Sequence, residues 1–209
     1  ASSINCDFVL NCDVENQTSI KKLFNEISNV WEEIDFIVHA MAFSDKNELK
    51  GEFYNTTKEN FNRTMLISSF SLTEISKEAQ NLMDKSGGSI LTLSYIGGER
   101  TTPNYNVMGV AKAALECSVR YLSVDLGKKN IRINSLSSGP MRTLAGAAIS
   151  GARHVFRHSE KNSPLNKNPS LIEVSKSALY LLSDLSSGVT GENHFVDGGY
   201  NIIAVPKEY

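Results

Sequence analysis

Apolar residues in this chain occur in short runs that are separated by longer stretches of helical spacing. The short runs predict strands, at residues 8–10, 34–40, 89–93, 131–136 and 194–196. The longer stretches predict helices, at residues 18–30, 58–83, 105–126 and 171–183. Because buried strands alternate with helices, the pattern predicts an α/β fold with a doubly wound parallel sheet and helices on both of its faces.

Composition narrows the class of protein. With 209 residues, 41% of them hydrophobic, the chain has the length of one packed domain, which we place over residues 1–209. The balance of 21 Lys and Arg against 23 Asp and Glu argues against a nucleic-acid-binding surface. No apolar stretch reaches the roughly 18 to 20 residues that a membrane span needs. The three cysteines lack a C-x-x-C pair and the four histidines lack metal-ligand spacing, so we predict reduced thiols and no metal site.

The glycine-rich turn that such a sheet uses to bind a dinucleotide is missing from the sequence. Gly97 and Gly98 follow a predicted strand, but residues 99–103 do not open a helix with the required glycine spacing. Either the protein binds no dinucleotide, or this sequence begins after the phosphate-binding unit. In a sheet of strand order 3-2-1-4-5-6, residues 8–10 correspond to strand 3, the third strand along the chain. We therefore expect roughly 50 preceding residues, which would form strands 1 and 2, in the natural protein.

A polar cluster marks the end of the strand predicted at residues 89–93. Ser94 and Tyr95 follow this strand, and Tyr105 and Lys112 lie in the first turns of the next predicted helix. An ammonium group near a tyrosine favours its phenolate, so the pair suits proton transfer. Seven helical residues place Tyr105 and Lys112 within about 20° of one face and about 10 Å apart along the axis, where both can meet an extended ligand. The alternative is a packing tyrosine and a solvated lysine.

The wider sequence around these residues resembles a known family. Residues 94–100 read SYIGGER and residues 103–113 read PNYNVMGVAKA. These strings resemble the enoyl-acyl carrier protein reductases of bacterial fatty acid synthesis, a divergent branch of the short-chain dehydrogenase/reductase family with a Rossmann-type sheet. Most of that family has Tyr-x3-Lys, but here Gly109 stands four residues after Tyr105. Tyr-x6-Lys with a second tyrosine ten residues upstream is similar to the enoyl reductase pattern.

Further segments agree with this resemblance and imply a cofactor site. They read NCDV at residues 11–14, SGPMRTLA at residues 138–145, SGVTGE at residues 187–192 and VDGGY at residues 196–200. The resemblance implies that Asp13 accepts a hydrogen bond from the adenine amino group of NAD and that Val14 packs on the adenine ring. It also implies that one loop holds the nicotinamide carboxamide and the pyrophosphate and leads into a segment over the substrate. The residues of this loop are Pro140, Met141, Arg142, Thr143, Leu144 and Ala145.

The resemblance implies a reaction and roles for three residues. Hydride from NADH reduces the double bond of a trans-2-enoyl chain on acyl carrier protein, the last step of fatty acid elongation. Delivery to the β-carbon drives negative charge onto the thioester oxygen, where a hydrogen-bond donor is needed. Tyr105 is expected to stabilise this enolate, Lys112 to hold the nicotinamide ribose, and Tyr95 to act as the second tyrosine of the site. In the family, the acidic or basic residue that selects NADH or NADPH is expected to precede residue 1. The choice of NADH over NADPH therefore rests on the resemblance alone.

Residues 39–44, which read HAMAFS, are expected to pass beneath the nicotinamide and meet the acyl chain. By resemblance, Met41 contacts the cofactor, whereas Phe43, Ser44 and Met108 contact the substrate together with the two tyrosines. Relatives often carry glycine where Ala42 stands, so its methyl group should narrow the pocket wall. His39 and the other histidines are expected to be structural or on the surface.

The family also implies a cytoplasmic homotetramer. Arg153 and Arg157, near the expected substrate lid, are either solvated or weakly attractive to the acidic carrier protein. Two other functions stay open. One is a short-chain dehydrogenase acting on a ketone or alcohol, which the missing Tyr-x3-Lys disfavours. The other is a non-catalytic regulator with a dinucleotide fold, which the retained Tyr95, Tyr105 and Lys112 disfavour.

Overall fold

A single parallel sheet organises the chain in the computed structural model, which describes residues 5–83, 86–143 and 151–205. Four strands lie in the order β1-β2-β3-β4. They are β1 (Phe36–His39), β2 (Gly88–Ser94), β3 (Ile131–Ser138) and β4 (Asn193–Val196). Each neighbouring pair is parallel, and Ile90 of β2 lies opposite both Ile37 and Ile133. This sheet confirms the predicted α/β class and four of the five predicted strands.

Helices connect the strands and cover both faces of the sheet. They are α1 (Gln17–Ser28), α2 (Lys58–Met65), α3 (Ser71–Met83), α4 (Asn106–Gly127), α5 (Ala152–Asn162) and α6 (Leu171–Leu182). The helix predicted at residues 58–83 contains one wide turn of π geometry, Leu66–Phe70, between α2 and α3. Helix α5 was not predicted, because its sequence ARHVFRHSEKN has few apolar residues and buries only Ser159. No helix in the described part of the chain is long and apolar enough to cross a membrane.

Alternation along the strands sends neighbouring side chains to opposite layers. On one face, Ile90 and Ile133 pack with Leu115 of α4. On the other face, Leu91 packs with Leu181 of α6. Both faces are therefore apolar, as expected for a parallel sheet that is covered on both sides.

The strand predicted at residues 8–10 is not formed. A strand needs a neighbour to accept and donate its ladder hydrogen bonds, and no described strand lies beside these residues. The ring of Phe8 instead packs edge-on against Trp31, with the ring centroids 5.1 Å apart. Strand β1 forms one edge of the described sheet, where Phe36 and Val38 are 54% and 46% exposed. The apolar run is real, but an apolar run alone does not supply the partner that a strand requires.

Candidate active site

Two tyrosines meet where β2 ends and α4 begins. Tyr95 directly follows β2, a short 3₁₀ turn (Ile96–Gly98) comes next, and Tyr105 is the N-cap residue of α4. The two rings pack edge to face, with their centroids 5.1 Å apart. Tyr105 is buried in a cluster that also contains Leu49 and Met108, and Tyr95 packs against this cluster. The structure thus brings together three of the site residues predicted from sequence, which are Tyr95, Tyr105 and Met108.

Glycines allow the 3₁₀ turn to lie directly on α4. A Cβ atom at Gly97 would come within 2.5 Å of Cδ1 of Tyr105. A Cβ atom at Gly109 would come within 2.7 Å of the carbonyl oxygen of Gly97. Gly109 occupies the position where Tyr-x3-Lys would place its lysine, and no side chain fits there. In this helix the lysine is found three residues later, at position 112.

Lys112 lies in a buried position on α4. Its side chain points to the end of β2, where Nζ donates a hydrogen bond of 2.6 Å to the carbonyl oxygen of Leu93. Burial lowers the pKa of Lys112 to about 8, and the Glu116 carboxylate acts in the opposite direction. Near neutral pH the ammonium therefore stays mostly protonated, in a place with little water to screen its charge.

The tyrosines are neutral hydrogen-bond donors. Burial raises the pKa of Tyr95 to about 12, although a hydrogen bond with Thr102 acts in the opposite direction. Burial, together with Tyr95 and Glu116, also raises the pKa of Tyr105 well above its ordinary value. The expectation that the lysine favours a phenolate at Tyr105 is therefore wrong, because desolvation of the phenolate dominates. A phenol that keeps its proton can donate to an oxygen on which negative charge develops.

His39 has a structural role at the end of β1. Its ring is buried, with Nδ1 2.9 Å from the Thr92 hydroxyl and Nε2 2.8 Å from the Ser71 hydroxyl. Burial lowers the pKa of His39 to about 4, so the ring is neutral. These contacts agree with the predicted structural reading of this histidine. Within the described ranges, no group of His, Cys, Asp or Glu side chains is arranged to hold a metal ion.

The loop after His39 is held by the long helix α2–α3. The Ser68 hydroxyl, in the π turn, accepts a hydrogen bond from the Phe43 backbone N–H at 2.9 Å and donates one to the Phe43 carbonyl at 3.1 Å. Met41 packs against the cluster formed by α1 and α3. The Ser44 hydroxyl accepts a hydrogen bond from Thr64 at 3.0 Å. Since π turns often occur at functional sites, this one is well placed to fix the predicted substrate loop.

Phe43 is linked to the turn that precedes α1. The Arg63 guanidinium lies 4.3 Å from the centroid of the Phe43 ring and makes two hydrogen bonds to the Glu15 carboxylate. Asp13, in the same turn, accepts the Glu15 backbone N–H at 3.0 Å, and its side chain is exposed. Val14 is 7% exposed and belongs to the apolar cluster. An exposed carboxylate suits the adenine contact predicted for Asp13, whereas Val14 has little side-chain surface left for a ring.

The loop after β3 begins at a close contact with β4. The Gly139 backbone N–H donates a hydrogen bond of 2.9 Å to the Val196 carbonyl, and a Cβ atom at Gly139 would come within 2.8 Å of Pro169 Cδ. Pro140, Met141, Arg142 and Thr143 follow at this edge of the sheet. Leu144 and Ala145, also predicted to bind the cofactor, lie outside the described residues.

Comparison with known proteins identifies the family. A family model described as "Enoyl-(Acyl carrier protein) reductase" matches residues 1–201. The chain belongs to the enoyl-(acyl carrier protein) reductase family. An enoyl-[acyl-carrier-protein] reductase [NADH] of Rhizobium meliloti is 57% identical over 206 residues, which are 99% of this chain and 76% of that protein. A relative of the same type from Rickettsia prowazekii is 51% identical over 99% of this chain and 79% of its own length.

Solved structures of enoyl reductases share the fold. A crystal structure of FabI from Candidatus Liberibacter asiaticus is 54% identical and has a TM-score of 0.96, covering 99% of this chain and 80% of that one. A structure of the enoyl-acyl carrier protein reductase from Anaplasma phagocytophilum, in complex with NAD, is 49% identical with a TM-score of 0.95 and covers 100% of this chain and 79% of that one. These matches confirm the resemblance and the Rossmann-type fold.

The enoyl reductase site has groups that fit a dinucleotide. Ser137, opposite Ser94 in the sheet, has a buried hydroxyl without a hydrogen-bond partner among the described residues. The Lys112 ammonium has three N–H donors, and Leu93 supplies its one acceptor in the described part of the chain. Unused donors at the carboxyl ends of parallel strands are what the hydroxyl and phosphate oxygens of a dinucleotide require.

Sequence reasoning missed two polar features of the enoyl reductase site. One is Glu116, which is 5% exposed and accepts a hydrogen bond from Ser94. Its signal was a carboxylate one helical turn after Lys112 in an apolar helix. The other is Ser68, whose position in a π turn has no signature in the sequence.

Proposed function

We propose that this protein reduces the double bond of trans-2-enoyl chains carried on acyl carrier protein, with NADH as reductant, in the last step of fatty acid elongation. The observation that carries the proposal is the pair of neutral tyrosines, Tyr95 after β2 and Tyr105 at the start of α4, the helix that carries the buried Lys112. It rests also on the family, since its curated relatives are named as NADH-dependent enoyl reductases. An oxygen that gains negative charge during the reaction needs donors that keep their protons, and this site supplies them.

NADH supplies the hydride, and this chain supplies positions for NADH. Lys112 would hold the hydroxyls of the nicotinamide ribose, and Asp13 would accept from the adenine amino group. The other residues that we assign to the cofactor are Met41, Pro140, Met141, Arg142, Thr143, Leu144 and Ala145. The exposed Asp13 carboxylate and the buried Ser137 hydroxyl support this direction of binding along the ends of the strands.

The chain's own residues stabilise the charge that develops on the substrate. Tyr105 donates a hydrogen bond from its phenol to the thioester oxygen as the enolate forms. Lys112 keeps the local potential positive, and the low dielectric of its surroundings strengthens this effect. Tyr95 packs on the Tyr105 ring and holds its direction. Phe43, Ser44 and Met108 border the acyl chain and exclude water.

Loss of NADH absorbance on addition of a trans-2-enoyl thioester to the protein tests the function. We expect turnover with the enoyl thioester and with NADH. A β-ketoacyl thioester and a simple ketone are the control substrates, and turnover of either one instead would favour a carbonyl dehydrogenase. NADH binding without any turnover by a folded protein would favour a non-catalytic regulator.

We also propose a cytoplasmic homotetramer. Val110, Tyr121 and Val124 lie on one face of α4 and are 37%, 75% and 68% exposed. An apolar stripe of this kind on a helix is typical of subunit contacts.

The cysteines support the cytoplasmic location. Cys6, Cys12 and Cys117 are all unpaired, which fits a reducing compartment.

Light scattering on the protein as it elutes from a size-exclusion column measures the mass of the assembly and tests this proposal. We expect a mass of four chains, and a smaller mass for Val124→Glu, because a buried charge at a contact is costly. A monomeric mass for the unsubstituted protein at micromolar concentration would contradict the proposal.

A further inference from the structure

Glu116 is a buried carboxylate that the proposed reaction does not use. It lies four residues after Lys112 on α4, so both side chains project from one face of the helix. Its exposed fraction is 5% and that of Lys112 is 6%. Burial of a carboxylate is unfavourable unless partners compensate for lost water. A function for this group is therefore to be sought in what it touches.

The carboxylate contacts the segment that carries Tyr95. The Ser94 hydroxyl, at the end of β2, donates a hydrogen bond to Oε1 of Glu116. The 3₁₀ turn Ile96–Gly98 packs against the same oxygen, since a Cβ atom at Gly98 would come within 3.1 Å of Oε1 of Glu116. Glu116 thus joins α4, which carries Lys112, to the strand end and turn on either side of Tyr95.

The charged and titratable groups around Lys112 come from several elements. Glu116 raises the pKa of Lys112 against the effect of burial. His39 of β1 is neutral, since burial and Lys112 both lower its pKa. Glu99, in the turn, and Arg120, on α4, are exposed and act on Glu116 with opposite signs. Burial raises the pKa of Glu116 itself, and its hydrogen bond with Ser94 acts in the opposite direction. Among the described residues, Glu116 is therefore the buried carboxylate, one helical turn from Lys112, that favours the charged form of this ammonium.

We propose that Glu116 is a positioning residue of the enoyl reductase. Through its hydrogen bond with Ser94, Glu116 fixes Tyr95 and the turn Ile96–Gly98 against α4. Through its buried negative charge, it also keeps Lys112 cationic. The inference rests on the proposed function, because it assigns a supporting role in that reaction. A purely structural role for Glu116 would change stability and would leave the pH dependence of the reaction unchanged.

Two substitutions separate the charge from the hydrogen bond. Glu116→Gln keeps an acceptor for Ser94 and removes the charge. Since Lys112 must be protonated, activity falls as the pH rises through its pKa. Without the carboxylate we expect this alkaline limb of kcat/KM to move by about one unit to lower pH. Ser94→Ala removes the hydrogen bond and keeps the charge, so we expect kcat/KM to fall about tenfold without movement of the limb.

The control is Glu32→Gln, the same chemical change at an exposed residue between α1 and β1, which should leave the profile unchanged. Turnover by the unsubstituted enzyme is measured first, because its absence counts against the proposed function alone. If that enzyme is active, an unmoved alkaline limb in Glu116→Gln overturns the inference. If Glu116→Gln does not fold, an unchanged kcat/KM in Ser94→Ala overturns it.

Discussion

Replacement of Lys112 by methionine is expected to lower kcat/KM for NADH-dependent enoyl reduction by ~100-fold or more. Methionine has a similar length, so it fills the same buried volume and removes only the ammonium. The loss follows from the position of this charge, which is 6% exposed and bonded to the end of β2. Initial rates at several NADH concentrations, with a melting curve for each variant, measure the effect.

Lys128→Met is the matched control for this substitution. Lys128 is the C-cap residue of the same helix, it is exposed, and its replacement should leave kcat/KM within about twofold of that of the unsubstituted enzyme. Folded Lys112→Met with nearly full activity would show that the catalytic assignment of this residue is wrong.

Gly97→Ala is expected to reduce activity by ~100-fold while the protein still folds. The added methyl group would lie 2.5 Å from Cδ1 and 2.7 Å from Cε1 of Tyr105, and 3.2 Å from Cδ1 of Tyr95. Both rings must shift, and Tyr105 is only 7% exposed, so it has little space to move into. Overpacking of this kind costs ~1–3 kcal/mol of folding free energy. Activity and melting temperature together measure both effects.

Gly127→Ala serves as the control, because it adds the same methyl group at the other end of α4, where no atom lies within 4 Å. Alanine is the better helix former, so this variant should be as stable as the unsubstituted protein or slightly more stable. Equal activity of Gly97→Ala and Gly127→Ala would mean that the placement of the tyrosine rings does not limit the reaction.

The pattern of apolar residues predicted the elements that bury apolar side chains. Strands β2 and β3 and helices α4 and α6 differ from their predicted bounds by one or two residues. Of the elements that it missed, α5 has too few apolar residues to stand out, and the π turn has no signature in the sequence. The strand at residues 8–10 was wrong because pairing with a neighbouring strand is not encoded in the run itself.

The site was predictable as far as its motif extends. Tyr95, Tyr105 and Lys112 were found from their spacing and from the family resemblance, and the structure brings the two tyrosines together. The upward shift of the tyrosine pKa values could not be predicted from the sequence. It depends on burial, and the residues that bury Tyr105, such as Leu49, are distant from it in sequence.

The sequence by itself determined the α/β class, the family and the identity of the tyrosines and the lysine, because these are properties of local spacing and residue type. Only the tertiary structure decided which groups share a buried environment. It placed Glu116 and Ser94 in contact and left no room for a side chain at Gly109. It also kept the phenols protonated. Each of these results depends on desolvation or close packing between segments that are far apart in the chain, and no local pattern records such distances.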